Sequence, residues 1–185
     1  ISACLVGSEM CIRDSPIPWQ DALFETLRAA DIRQFAYVPD AGHAHVIRRA
    51  HATDGIAAYP LTTEEEGVAS VSGAWLGGQR AVLLMQSSGV GNCINMLSLV
   101  QSCRFPLLAL ITMRGEWAEF NPWQVPMSRA TQGTLELMGV DVRRVDQPAL
   151  VVPEVEAAIE DVFTSGNAVA VLLGQRLIGR KRWVK

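Results

Sequence analysis

Three adjacent carboxylates, Glu64, Glu65 and Glu66, follow Thr62 and Thr63 and precede Gly67. Carboxylates at a predicted strand-to-helix junction are candidates for chemistry, because ligands of parallel sheets lie at the carboxyl ends of strands. The run also reads as a plain helix start. Thr63 suits the N-cap, Glu66 stands three residues later as in a capping box, and acidic side chains in a first turn are favoured by the helix dipole. The segment that follows is small along one side, with Ala69, Ser70, Ser72, Gly73 and Ala74. Gly73 inside a helix costs about 1 kcal/mol relative to alanine, so close approach of another backbone is expected there. A second segment, Gln86-Ser-Ser-Gly-Val-Gly-Asn92, has a Gly-x-Gly. It lacks the third glycine of a dinucleotide fingerprint and the Gly-Lys-Ser/Thr of a P-loop, so alone it is a tight strand-to-helix turn. Residues 113–127 contain two prolines and no clear period, a length that signals function or contact, and include Arg114, which could anchor its own loop. His43, His45 and His51 have no third ligand in fixed relation, and no metal site is expected of them. Cys93 and Cys103 fit buried structural roles, and Ser88 lacks the nucleophile-elbow pattern.

The elements that must position these side chains alternate between helical periodicity and short apolar runs. Trp19, Leu23 and Leu27 mark a first helix, and a strand over 35–38 stops at Pro39. Further helices are predicted over 42–52, 62–77, 91–103, 130–138 and 153–164, with strands over 56–61, 81–85, 107–112, 140–145 and 168–173. The near-continuous apolar character of 107–112 is that of a strand covered on both faces. Six strands joined by helical crossovers predict an α/β fold, a single doubly wound domain with a six-stranded parallel sheet flanked by helices. In such sheets ligands lie outside the carboxyl ends of the strands, here the loops that start at Pro39, Thr62, Gln86 and Thr112. The domain is expected over 16–178, with 1–15 a leader outside the fold and 179–185 a polar tail.

With 185 residues, 49% hydrophobic and 19% charged, the chain suffices for one well-buried domain and falls short of two. Its net charge of −3, with scattered Lys and Arg, gives no footprint for nucleic acid or anionic lipid. The longest apolar stretches, 105–111 and 168–173, are well below the roughly 20 residues of a membrane span. Four cysteines, at 4, 11, 93 and 103, match neither a disulfide framework nor a zinc ribbon, and a reducing, cytoplasmic setting is expected.

Four pieces in order, at the predicted strand ends, carry a resemblance: Tyr37-Val-Pro-Asp40; Thr63-Glu-Glu-Glu-Gly-Val68 with Gly73-Ala-Trp-Leu76; Leu84-Met-Gln-Ser-Ser-Gly-Val-Gly-Asn92; and Met113-Arg-Gly-Glu116 with Gln124-Val-Pro-Met127. Together they resemble the pyrimidine-binding (PYR) domain of thiamine diphosphate-dependent enzymes. More narrowly, the chain is similar to the α subunit of sulfopyruvate decarboxylase and the matching half of phosphonopyruvate decarboxylase. The resemblance implies that one glutamate, placed at Glu65 with Glu64 and Glu66 as neighbours, hydrogen-bonds N1′ of the cofactor's aminopyrimidine and tunes its acid–base state. It implies a cofactor-binding set of Pro39, Glu65, Ser88, Gly89, Val90, Gly91 and Asn92, with the turn at 89–92 as floor beneath the pyrimidine. Asp40, Arg114 and Gln124 match positions near the substrate. The implied reaction is loss of CO₂ from a sulfonated or phosphonated pyruvate, with thiamine diphosphate carrying the hard step. Such enzymes hold the diphosphate through Mg²⁺ with a Gly-Asp-Gly motif, which this sequence does not contain. A separately encoded PP-domain β subunit is therefore expected to hold Mg²⁺, in a hetero-oligomer with self-association of α/β pairs. Other readings are a different thiamine diphosphate-dependent decarboxylase or carboligase, a non-catalytic PYR-like interaction module, and a flavodoxin-like nucleotide binder.

Overall fold

In the computed structural model, which describes residues 18–179, six strands run parallel in the order β2-β1-β3-β4-β6-β5. They are β1 (Ile32–Tyr37), β2 (Ala57–Pro60), β3 (Arg80–Gln86), β4 (Leu107–Thr112), β5 (Asp141–Val145) and β6 (Ala168–Leu173). The α-helices are α1 (Trp19–Ala29), α2 (Ala44–His51), α3 (Glu64–Leu76), α4 (Val90–Cys103), α5 (Val125–Leu137), α6 (Val151–Ser165) and the short α7 (Gln175–Ile178). This is the α/β, doubly wound parallel architecture that the alternating pattern predicts. The expected leader at 1–15 and the tail beyond 179 lie outside the described residues. No helix of the described residues is long and apolar enough to cross a membrane.

Side-chain alternation along the central strands builds two cores. Val82, Leu84, Leu108, Leu110, Val169 and Val171 face α1, α2 and α6. Leu83, Met85, Ala109, Ile111, Ala170 and Leu172 face α3, α4 and α5. β4 and β6 are buried along their whole length, as their unbroken apolar sequences require. Full burial of each such Leu, Val or Ile contributes on the order of 1.5–3 kcal/mol, which keeps the strand ends fixed for the loops they carry.

Every strand is entered through a left-handed residue within the three positions before it: Asp31, Gly55, Gly78, Arg104, Gly139 and Gly166, at φ 60, 79, 77, 55, 74 and 74°. Such a residue stops the preceding helix and turns the chain back to the sheet. Glycine fits that backbone without penalty, and two of the six positions do without it.

Three local features depart from expectation. α5 starts at Val125 rather than near residue 130, because Pro126 sits in its first turn, where a missing N–H costs nothing. The capping box at α3 is displaced by one residue. Glu66 Oε2 accepts the backbone N–H of Thr62 at 2.7 Å, while Thr63 occupies the N-cap without a side-chain hydrogen bond. Gly73 faces solvent, and a Cβ there would meet no atom within 4 Å, so the close approach expected at this glycine is not made among the described residues.

Candidate active site

The chain leaves β1 toward β2 on one side and β3 toward β4 on the other, so a crevice opens between the carboxyl ends of β1 and β3. The turn at 87–92, which joins β3 to α4, forms its floor. Glu64, the first residue of α3, reaches this turn. It is 8% exposed, whereas Glu65 and Glu66 face solvent. Helical phase explains the choice. Glu64 shares its face with Val68 and Val71, both buried, and Glu65 shares its face with Ala69 and Gly73, both exposed. The Glu64 carboxyl lies so close to Gly89 that a Cβ at that position would overlap Cδ and Oε1, so any side chain there would displace the carboxyl. Asn92 donates Nδ2 to Glu64 Oε2 at 2.8 Å. The carboxylate in contact with the glycine turn is therefore one residue earlier than the Glu65 of the sequence expectation.

On the β1 side, Asp40 accepts hydrogen bonds from Thr112 Oγ1 at 2.7 Å, the Gly42 N–H at 2.9 Å and Gln86 Nε2 at 2.9 Å. Ser88 Oγ donates to Gln86 Oε1 at 2.7 Å, so Asp40 is tied to the turn through Gln86. Burial works against the charge on Asp40, but the Thr112 hydroxyl, nearby His43, Gln86 and the Gly42 amide outweigh it and hold the carboxyl below its ordinary value. His43 is fully buried. Its Nε2 lies 3.0 Å from the Leu110 carbonyl and 3.2 Å from the Met85 carbonyl, which makes Nε2 the protonated, donating nitrogen. Burial lowers its basicity more than Asp40 and the Leu110 and Met85 carbonyls raise it. Pro39 and Asp40, with Tyr37, Ala44, Ile47 and Arg48, line an open cleft of about 450 Å³ beside the crevice.

The long segment after β4 closes the other side. Arg114 is 6% exposed and its guanidinium forks onto Glu119, with contacts of 2.7 and 2.6 Å. Arg114 thus anchors its own loop through Glu119. The Arg114 fork, against the opposing effect of burial and with help from the Asn121 and Gly115 amides, holds Glu119 down at about 2. The Arg114 N–H donates to Ser87 Oγ at 3.1 Å, and Thr131 Oγ1 lies 3.4 Å from the Ser87 carbonyl. A Cβ on Gly91 would sit 3.3 Å from Met127 Sδ, so α5 flanks the turn opposite Glu64. Gln124 is 6% exposed, and its buried Oε1 has no hydrogen-bond partner among the described residues.

The structure therefore gathers Asp40, Ser88, Gly89, Val90, Gly91, Asn92 and Glu64 around one turn, with Pro39 at the cleft rim. Glu65 points away, and Gln124 is set back beneath the loop. Cys93 lies under the turn with its thiol pushed up to about 12 by burial and by the charges of Glu64 and Glu65, so it is no nucleophile. The other imidazoles have separate partners: His45 meets Asp21 and His51 meets the Tyr37 hydroxyl, each at 2.8 Å. Among the described residues no three His, Cys, Asp or Glu side chains are grouped to hold a metal ion. Sequence reasoning assigned no role to Gln86 and Thr112, although each is a polar residue ending an apolar strand, which is a readable signal.

No protein-family model matches the chain. Sulfopyruvate decarboxylase subunit alpha of Methanothermobacter thermautotrophicus is 32% identical over 154 residues, 83% of this chain and 93% of that protein. The protein of the same name from Methanococcus maripaludis is also 32% identical, over 83% of this chain and 92% of its own length. Phosphonopyruvate decarboxylase of Streptomyces viridochromogenes is 37% identical over 83 residues, 44% of this chain and 21% of that one. Among solved structures, 2-oxoglutarate:ferredoxin oxidoreductase from Magnetococcus marinus shares the fold, with a TM-score of 0.69 at 16% identity, over 88% of this chain and 29% of that longer chain. Identity of 32% over 83% of this chain and more than nine-tenths of each relative places the chain in the sulfopyruvate decarboxylase subunit alpha family.

Proposed function

We propose that the chain is the pyrimidine-binding subunit of a thiamine diphosphate-dependent 2-oxoacid decarboxylase acting on sulfopyruvate or phosphonopyruvate, and that Glu64, in place of Glu65, holds the proton at N1′ of the cofactor ring. The observation that carries this reading is the seating of the Glu64 carboxyl against Gly89 at the floor of the crevice. A heteroaromatic ring protonated at an edge nitrogen would take a carboxylate partner, and Glu64, buried at the glycine turn with Asn92 as its donor, would supply one. Thiamine diphosphate, when bound, supplies the carbon nucleophile and electron sink that no amino-acid side chain provides.

The chain's own residues then have defined tasks. Glu64 shares a proton with the ring nitrogen. Asn92 fixes the carboxyl through its 2.8 Å hydrogen bond. Asp40, held ionised by its three donors, is a fixed negative charge and not a proton donor at neutral pH. Mg²⁺ and the diphosphate fall to a partner subunit bearing Gly-Asp-Gly, since this sequence has no such motif. The subunit alpha designation of the relatives supports a separate partner. The small, exposed side of α3 at Ala69 and Gly73, with the exposed Trp117 and Trp123, is the proposed contact surface, and self-association of the α/β pairs completes the assembly.

The test is CO₂ release from sulfopyruvate and phosphonopyruvate by the chain assembled with such a partner, thiamine diphosphate and Mg²⁺. Glu64→Gln is expected to lower kcat by about 10²-fold or more, and Glu65→Gln to leave it within about twofold. The reverse order of effects would return the role to Glu65.

A further inference from the structure

Gln175 opens α7, far in sequence from the glycine turn, and is 2% exposed. Its Oε1 accepts the backbone N–H groups of Glu116 and Trp117 at 2.7 Å each. Its Nε2 donates to Glu119 Oε2 at 2.9 Å, and its own N–H donates to Glu116 Oε2 at 3.1 Å. One amide side chain thus ties both arms of the loop after β4 to the end of β6. The loop passes through the left-handed region twice, at Gly115 and Ala118, with φ 79 and 49°, and Gln175 adds ties from outside to those the loop makes within itself at Glu119. From Gln175 a buried chain of hydrogen bonds runs through Glu119 to Arg114, and the Arg114 N–H ends on Ser87 Oγ. Ser87 is fully buried and stands two residues before Gly89, the backbone on which Glu64 rests.

We infer that Gln175 is a positioning residue: it sets the 113–124 loop and, through Glu119, Arg114 and Ser87, the turn that seats Glu64. Its kinetic consequence rests on the decarboxylase reading, while its structural consequence does not. The amide is specifically suited to the place, because it offers an acceptor to two N–H groups and a donor to a carboxylate. Glutamate would keep the acceptor and set a second carboxylate beside Glu119. Alanine would keep neither.

The test compares wild type, Gln175→Ala and Gln175→Glu, each as the full chain assembled with its partner subunit, by amide hydrogen exchange and by steady-state kinetics. In Gln175→Ala, exchange is expected to rise at Glu116 and Trp117 and also, by about tenfold, across 87–92, with kcat falling on the order of 10–100-fold and KM changing less. In Gln175→Glu, activity relative to wild type is expected to recover as pH falls from about 7 toward about 5, because a carboxyl set beside the ionised Glu119 takes up a proton more readily than a lone one and so restores the lost donor. A loop that loosens while 87–92 and kcat stay at wild-type values would overturn the inference and leave Gln175 a mere anchor. If Gln175→Ala does not assemble, the pH series of Gln175→Glu decides, and a flat ratio to wild type overturns the inference. If the wild-type complex releases no CO₂ from either acid, the decarboxylase reading fails and exchange across 87–92 alone decides the role of Gln175.

Discussion

Glu119 shows how a single residue couples the site to pH. Its carboxyl is held at about 2 by the Arg114 fork, against an ordinary value of 4.5. A depressed value means that the folded state binds the proton less readily than the unfolded chain does. The stabilisation is therefore complete above about pH 4.5 and is lost as pH falls toward about 2. Glu119→Gln is expected to unfold more readily than wild type at neutral pH, with the gap in denaturation midpoint closing on acidification across that window. A gap that stays constant with pH would show that the charge on Glu119 does not contribute. The same scale shows where sequence reading reached its limit. Residue type cannot separate three adjacent glutamates, but phase can: Val68 and Val71 mark the buried side of α3, and Glu64 is the glutamate in step with them.

At the scale of elements, the exposed side of α3 is the informative one. Gly73 sits mid-helix with open space around it, so Gly73→Ala is expected to stabilise the lone chain by about 0.5–1 kcal/mol. If another subunit's backbone lies there, the same methyl group weakens association. Thermal melts of the chain alone and titration with the partner separate the two effects, and unchanged association would remove α3 from the contact surface. Strands 107–112 and 168–173 were legible to the residue, since a run of Leu, Ile, Val and Ala between breakers has few other fates. The start of α5 was not, because two prolines and two aromatics mask a helix whose first turn tolerates Pro126. Nor was the clamp at Gln175. No periodicity links it to Glu116, 59 residues earlier, and only folding of β4 beside β6 brings them together.

For the whole molecule, the parallel sheet puts every strand's carboxyl end on one edge, and the loops that converge there supply a carboxylate, a glycine turn and a fixed anion but no Gly-Asp-Gly. The chain alone is thus expected to release no CO₂ from sulfopyruvate, and titration with the partner subunit is expected to raise activity to a plateau at a fixed ratio. Turnover by the chain alone would contradict the shared site. The missing motif was legible from sequence, whereas the meeting of Ser87 with Arg114 and Thr131 was not, because it depends on strand order. The opposite edge has its own character. All six helix-to-strand returns pass through the left-handed region there, and Asp31 and Arg104 occupy it without being glycine. Glycine at either is expected to relieve a left-handed backbone cost of about 1 kcal/mol at the edge away from the glycine turn, so stability can be raised there without altering the candidate site.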